Sequence, residues 1–478
     1  MKEMFTVLSS TLIIDGKKDL LIKAGVILSI IFIVISFGYN DTIIINRQTM
    51  SFIGTMFDEK GYGLLRYYDY AHDITELQRG KGLLAVDSMY DVPVFVIESM
   101  WLWPLYLLSK IMPSDVAATW YGILWGKLLY LLALLISAEL MGRIFLFVFP
   151  QSEKVKGLIL GYLASIITIS SVYMVGQCDV IIICFILASV LAYLKRDKMY
   201  VFYSALAISM KPFALFPFLI MVLLREKNIY KIIVKIVAGT SVMLFCKLLF
   251  YNQSSITRAV RTEFFIKELR NMLINKIPIM YGKVPVIVLG IIICLVLAYM
   301  LRETFENLIG LCFLNFVLFF SSFIATPYWF LYIMPFLCIA LEIIDDKRAL
   351  FLSVVGNIFL FLSHMLRFHW VYDINIINRS LLGRMLGRVS VGEHALTLSN
   401  ISKHYDVSVL VGCLHAVFLA CIAGVILLYF LPNIQSESVM IEKGIPMKYR
   451  LWMAGGQITV AFLPVSIWFF YLLVSRLG

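Results

Sequence analysis

KAGVILSIIFIVISFGY, residues Lys23–Tyr39, carries no charge after its first residue and is followed at once by Asn40-Asp41. A run of that length and apolarity is close to what a helix needs to cross the hydrocarbon core of a bilayer. Lys17, Lys18 and Lys23 precede it. Basic flanks hold that end in the cytoplasm, which puts Asp41 on the outer face, at the head of an acid-rich segment. Two readings fit Asp41. It can end a span at the interface, or it can accept a proton from a hydroxyl group while a substrate's lipid tail stays in the bilayer. The run has no small-residue cleavage motif, so the expectation is a retained anchor rather than a signal peptide.

Composition extends the membrane reading to the rest of the chain. Of 478 residues, 61% are hydrophobic and 15% charged, and mean hydropathy is +0.90. Soluble domains do not carry that balance, so the sequence predicts an all-α polytopic membrane protein. The net charge of +11 is scattered over short loops, which reads as topology and not as a nucleic-acid surface. The eight cysteines lie almost all in apolar runs without a C-x-x-C pair, and read as small core residues. The chain has no Walker motif, dinucleotide glycine fingerprint or G-x-S-x-G, which argues against a nucleotide-sugar donor bound in a soluble domain.

Further apolar stretches fall at about 118–141, 156–175, 179–194, 232–250, 284–301, 306–325, 328–344, 349–366, 407–431 and 452–475. Residues 94–112, with Glu98, Pro104 and two tryptophans, suit an interfacial helix. Residues 199–224 are interrupted by Lys211-Pro212 and flanked on both sides by basic clusters, Lys195/Arg196/Lys198 and Arg225/Lys227/Lys231. Both ends are therefore expected inside, as a hairpin of two short helices with Lys211-Pro212 at its outer tip. The result is a bundle of about 11–13 transmembrane helices forming one membrane unit over 1–478. Its inner loops carry Arg143/Lys154/Lys156, Lys347/Arg348 and Lys443/Lys448/Arg450.

Three segments remain outside. Loop 40–93 is acidic, with Asp41, Asp58, Glu59, Asp69, Asp73, Glu76, Asp87 and Asp91. Loop 251–283 holds Arg258 and Arg261, and loop 367–406 holds Arg367, both against the positive-inside rule. Arginines there can grip the phosphate of a lipid carrier or merely meet anionic headgroups. Lys211 in an apolar hairpin reaches either a phosphate or the interface. Gly176-Gln177-Cys178-Asp179 joins two spans, where Gln177 can hold sugar hydroxyls and Asp179 can equally just start a helix. Tyr328 and Trp329 suit an interfacial belt or sugar stacking. The six histidines, His394 among them, show no metal-site spacing, although outer acids could hold a weakly bound divalent ion.

Asn40-Asp41, the Gly176-Gln177-x-Asp179 turn, Lys211-Pro212, Pro327-Tyr328-Trp329, and Tyr90-Asp91-Val92-Pro93 followed by Trp101-Leu102-Trp103-Pro104-Leu105 together resemble the GT-C superfamily of multi-span glycosyltransferases. The resemblance is closest to bacterial proteins similar to the glycosylphosphatidylinositol mannosyltransferases. It covers residues 1–370, with the first outer loop at 40–93, and thins over the divergent 371–478. It implies an inverting hexosyltransferase in the plasma membrane, working on the extracytoplasmic face. The donor would be a polyprenyl-phosphate-linked sugar, mannose or another hexose, and the acceptor a lipid-linked or cell-surface glycan. No cofactor is required. The general base carried over is Asp41. Asn40 stands where many members have a second acid, so Asp69, Asp73 or Asp91 can share or take the role. Gln177, Asp179, Lys211, Arg258, Arg261, Tyr328, Trp329 and Arg367 would bind substrate. A flippase for lipid-linked sugars and a polysaccharide polymerase or ligase are the competing readings.

Overall fold

The computed structural model describes residues 17–57, 61–82, 85–88, 90–112, 115–279, 282–323, 325–390, 397–431 and 445–477. Asp58, Glu59, His394, Lys443 and the side chains of residues 17–23 lie outside that description. In chain order the helices are α1 (Lys17–Ser36), α2 (Asn40–Met56), α3 (Tyr67–Gly80), α4 (Val92–Ile111), α5 (Trp120–Val148) and α6 (Lys154–Leu163). Then come α7 (Asp179–Leu194), α8 (Met199–Met210), α9 (Leu215–Arg225), α10 (Ile229–Leu249) and α11 (Ser255–Met272). A two-stranded antiparallel hairpin follows, β1 (Lys276–Ile279) and β2 (Gly282–Pro285), pairing Ile277 with Val284. The chain ends with α12 (Val286–Met300), α13 (Phe305–Ser321), α14 (Met334–Ile344), α15 (Lys347–Arg367), α16 (Ser408–Phe430), α17 (Met447–Ala461) and α18 (Leu463–Leu477).

Among the described residues, six helices are long and apolar enough to cross a membrane, or up to eight if two pairs of consecutive helices each count as one span. Six shorter apolar helices of 10–17 residues account for most of the remaining sequence-predicted spans. At a rise of about 1.5 Å per residue they fall short of a full crossing by themselves. Two sequence expectations change. Residues 92–111, expected at the interface, form a helix of spanning length and hydropathy. Segment 40–93, expected as a loop, contains α2 and α3. Its polar residues do not prevent a helix because many of them face protein: Thr42, Asn46, Gln48, Thr49 and Ser51 are all buried.

The chain forms two compact units interleaved in sequence: residues 1–39, 130–180 and 325–478 in one, and 40–129 and 181–324 in the other. In the first, Arg450 at the start of α17 forms a forked pair with Glu342 near the end of α14, one arm at 2.7 Å. Both side chains are buried, and the guanidinium crosses Gly157 of α6 so closely that an added Cβ would lie 2.6 Å from Cζ. Lys154 pairs with Asp345 at 2.7 Å. Lys154 and Arg450, both expected in cytoplasmic loops, therefore meet at one end of this unit. Beyond α6, Gln457 of α17 accepts the Ile166 N–H at 3.1 Å, and residues Ile169–Val175 wind as a π-helix. That helix closes on Gly176, whose φ of 71° suits a residue without a Cβ. Helices α15 and α16 pack side by side, with Ser363 donating to the Val411 carbonyl and Gly356 set against Cys421.

In the second unit, Arg225 at the end of α9 lies 3.6 Å above the Tyr193 ring and 5.6 Å from Tyr200 at the start of α8. The two helices therefore run antiparallel, as the flanking charges predict. Between them Lys211 is extended (φ −154°, ψ 127°), the conformation a following proline favours. Glu303 collects Arg196 and Arg225, each at 2.8 Å, so the basic residues expected inside are neutralised at one end. Lys211 lies at the opposite end of the hairpin. On the other flank of this unit α4 and α5 exchange Trp101 and Trp125 indole N–H bonds to each other's carbonyls, at 2.8 and 2.9 Å. Asn46 of α2 donates to the Gly122 carbonyl at 3.0 Å, and Gly126 lets α2 come close to α5.

Candidate functional site: a cation cluster on tyrosine faces

The second unit holds Asp41, Asp69, Asp73, Asp91, Lys211, Arg258 and Arg261 of the sequence-predicted residues. An aromatic core of Phe52, Tyr67, Tyr68, Phe95 and Phe250 supports them. Residues 85–88 and 90–91 are laced onto α3. Asp87 accepts from His72 at 2.6 Å and Arg79 at 2.9 Å, Tyr67 bonds Ser88 at 3.0 Å, and Tyr68 donates to the Tyr90 carbonyl at 3.0 Å. That lacing fixes Tyr90 and Asp91 at the head of α4.

Around them the cations rest on tyrosine rings. Arg261 lies 3.5 Å over Tyr68, Arg258 4.7 Å over Tyr251, Arg66 5.4 Å over Tyr62, and Lys211 5.7 Å over Tyr90. A ring face orients a cation and shields part of it from water without cancelling its charge. At the other end of the hairpin Glu303 pairs with two arginines, as Asp69 and Asp91 pair here with Arg66 and Arg261. Lys211 is itself buried, and Phe213 stands 5.2 Å from its ammonium.

Asp91 reaches Arg261 at 3.6 Å and Lys247 of α10 at 3.7 Å. Burial pushes its carboxyl above the usual aspartate range, against the opposing pull of Lys247 and Arg261. Asp69 behaves in the opposite way. Burial alone would raise it, but bonds from the Ser254 backbone, Thr257, the Ser254 hydroxyl and Arg66 outweigh that and hold it below the usual range. Its Oδ1 accepts the Ser254 N–H at 2.9 Å, and its Oδ2 accepts two Arg66 bonds at 3.1 Å. Ser254 in turn caps α11 by accepting from the Thr257 N–H. Asp69 is thus the anchor for the helix that carries Arg258 and Arg261.

The structure sets Asp91 beside Arg261 and Lys247, anchors α11 through Asp69, places Lys211 over the Tyr90 ring, and gives the remaining residues of this unit other settings. Asp73 is exposed and accepts from the Tyr62 hydroxyl. Arg258 donates to the carbonyls of Gln253 at 3.2 Å and Tyr251 at 3.4 Å. Asp41 is half-buried in the first turn of α2, where a carboxylate complements the helix N-terminus. Glu98, fully buried in α4, accepts from Thr49 at 2.7 Å, and Lys127 is fully buried in α5.

The first unit holds Gln177, Asp179, Tyr328, Trp329 and Arg367. Gln177 and Asp179 are fully buried, and Asp179 accepts a 2.9 Å bond from Tyr332, in the same short helix as the half-buried Tyr328 and Trp329. Arg367 is exposed at the end of α15.

Sequence reasoning missed Lys247, Tyr68, Ser254 and the His72–Asp87 pair. Lys247 sits in the last turn of a span, where basic residues are ordinary flanks, and the others depend on contacts between distant segments. No family model matches the chain, and neither a curated protein nor a solved structure matches it.

Proposed function

We propose that the chain is a membrane glycosyltransferase that moves a hexose from a polyprenyl-phosphate-linked donor to a lipid-linked or cell-surface glycan acceptor, on the extracytoplasmic face. The observation that supports this reading is the pairing of Asp91 with Lys247 and Arg261, with Arg261 over the Tyr68 ring and Lys211 over the ring of the neighbouring Tyr90, in an apolar protein. Fixed cations of that kind stabilise charge building up on a departing phosphate. A carboxylate of segment 40–91 receives the acceptor's proton. The resemblance assigns that role to Asp41. Tyrosine faces near the cations suit a sugar ring, and no cofactor enters the scheme.

The test uses purified protein in lipid nanodiscs with a polyprenyl-phosphate-linked hexose. Lys211→Ala and Arg261→Ala should each weaken donor binding about tenfold or more, the scale of a lost charge-assisted contact. Unchanged donor affinity in both variants would end this reading. Glu98 and Lys127, ionisable groups fully buried inside two spans, favour a transporter of lipid-linked sugars as the second reading. Movement of the donor across vesicle bilayers, without a glycosylated product, would favour it over transfer.

A further inference from the structure

Helix α11 has one side on the protein and the other on nothing the chain supplies. At about 100° per residue, Thr257, Val260, Arg261, Glu268 and Asn271 fall on one side of it. That side meets the rest of its unit. Thr257 is buried, the other four are half-buried, and Arg261 lies over the Tyr68 ring. The opposite side carries Phe265, Ile266 and Leu269, which are 63%, 49% and 44% exposed. Arg258 precedes them on that side and Arg270 borders them, both exposed. Large apolar side chains gathered on a free face, with cations at their edge, mark a surface that something covers.

Two observations identify the cover. The first is tethering. Helix α10, long and apolar enough to cross a membrane, ends at Leu249, shortly before α11 begins at Ser255. After α11 the β1–β2 hairpin runs directly into the apolar α12 at Val286. A helix on short links between two apolar helices is held at the level where they leave the bilayer. The second is charge. Residues 255–285 hold Arg258, Arg261, Lys267, Arg270, Lys276 and Lys283 against Glu263 and Glu268, six positive less two negative, or +4. The hairpin register puts Lys276 and Lys283 on one face, opposite Ile277 and Val284. Lys267, Arg270, Lys276 and Lys283 have no ion-pair partner among the described residues. We propose that α11 and the β1–β2 hairpin dock on a lipid surface bearing anionic headgroups. Phe265, Ile266 and Leu269 enter the boundary between headgroups and acyl chains, while Lys267, Arg270, Lys276 and Lys283 meet lipid phosphates. Apolar insertion and charge attraction add together in interfacial helices. Because α11 carries Arg261, the charge of the leaflet then steadies the cation that stands beside Asp91.

The experiment is hydrogen exchange on the full chain in two kinds of nanodisc, phosphatidylcholine alone and a phosphatidylcholine–phosphatidylglycerol mixture. Exchange over residues 255–272 should be about fivefold slower or more in the anionic discs, the gain expected for each basic side chain brought to such a surface. High salt should erase the difference, and α15 and α16 should not change. Lys267→Gln with Arg270→Gln should remove most of the gain. Phe265→Ser with Leu269→Ser should speed exchange of 255–272 in both kinds of disc. All four positions are exposed, and the lipid comparison itself uses the unaltered protein. Equal exchange in the two kinds of disc overturns the proposal, as does a full gain in the Lys267/Arg270 variant. Slowing of the same size over α15 and α16 also overturns it, since that marks general stabilisation by the lipid. So does slowing that follows protein concentration instead of lipid charge, which would assign the face to a second copy of the chain. The measurement uses no sugar donor, so its outcome is independent of the transferase reading.

Discussion

Replacing Asp69 by Asn should loosen one helix without unfolding the protein. Helix α11 is exposed along nearly its whole length, with Thr257 its one buried residue. Its attachment therefore depends on the Asp69–Ser254 bond at its N-terminus and on the Arg261–Tyr68 stack. A buried hydrogen bond to a charged group contributes about 1.5–3 kcal/mol. The bonds from Arg66, whose side chain is half exposed, add about 0–1 kcal/mol. Asparagine keeps one acceptor oxygen, which leaves a net loss of about 2 kcal/mol. At about 1.4 kcal/mol per factor of ten, that is roughly a 30-fold gain in local opening. Hydrogen exchange read by mass spectrometry should show it as faster exchange over residues 255–272, with α15 and α16 unchanged. The effect has a defined pH range. Because the folded carboxyl is held below the usual aspartate range, its contribution is complete above that range. It is lost only as pH falls through the lowered folded value, so protection should not change between pH 7 and 5. Unaltered exchange over 255–272 in Asp69→Asn would refute this account of how Arg261 is held.

Two further substitutions test the packing. Glu342→Gln leaves the buried Arg450 guanidinium without its carboxylate and should destabilise by about 3–5 kcal/mol, whereas Glu342→Leu with Arg450→Met should cost far less or nothing. Thermal unfolding of the single and double variants checks this, and additive losses would contradict it. Gly126→Ala puts a methyl 2.6 Å from Asn46 Oδ1 and 3.1 Å from Thr42 Cγ2, so α2 must move away from α5. Overpacking of that kind costs about 1–3 kcal/mol, visible as a lowered Tm, and an unchanged Tm would show that the contact yields freely.

How much was legible depended on whether the signal was local. The break at Lys211-Pro212 could be read directly, because proline dictates the conformation of the residue before it, and the basic flanks disclosed the antiparallel return. Helix α2 was hidden for a physical reason. Its polar residues serve an interhelical contact with α5 and Glu98, so acid and amide content that ordinarily marks a loop here marks a buried face. The difference between Arg258 and Arg261 was also illegible. Both belong to the first two turns of α11, but one is turned to backbone carbonyls and the other to Tyr68 and Asp91. Asp91 reads in sequence as one acid among several in an outer loop, and only contacts with distant segments set it beside Arg261 and Lys247.

The π-helix at Ile169–Val175 sets the rotational phase of the Gly176–Asp179 turn. Each i→i+5 closure accommodates one residue more than the α-helical repeat, and one residue is about 100° of rotation in an α-helix. Shortening that segment by a single residue would let it relax to ordinary pitch. The extra residue of the wider closure offsets that rotation, so the turn would keep nearly its phase and Asp179 its place beside the Tyr332 hydroxyl. Loss of a second residue would swing the turn by about 100°. The segment thus behaves as a rotational spacer. Its residue count matters more than the identity of its apolar side chains.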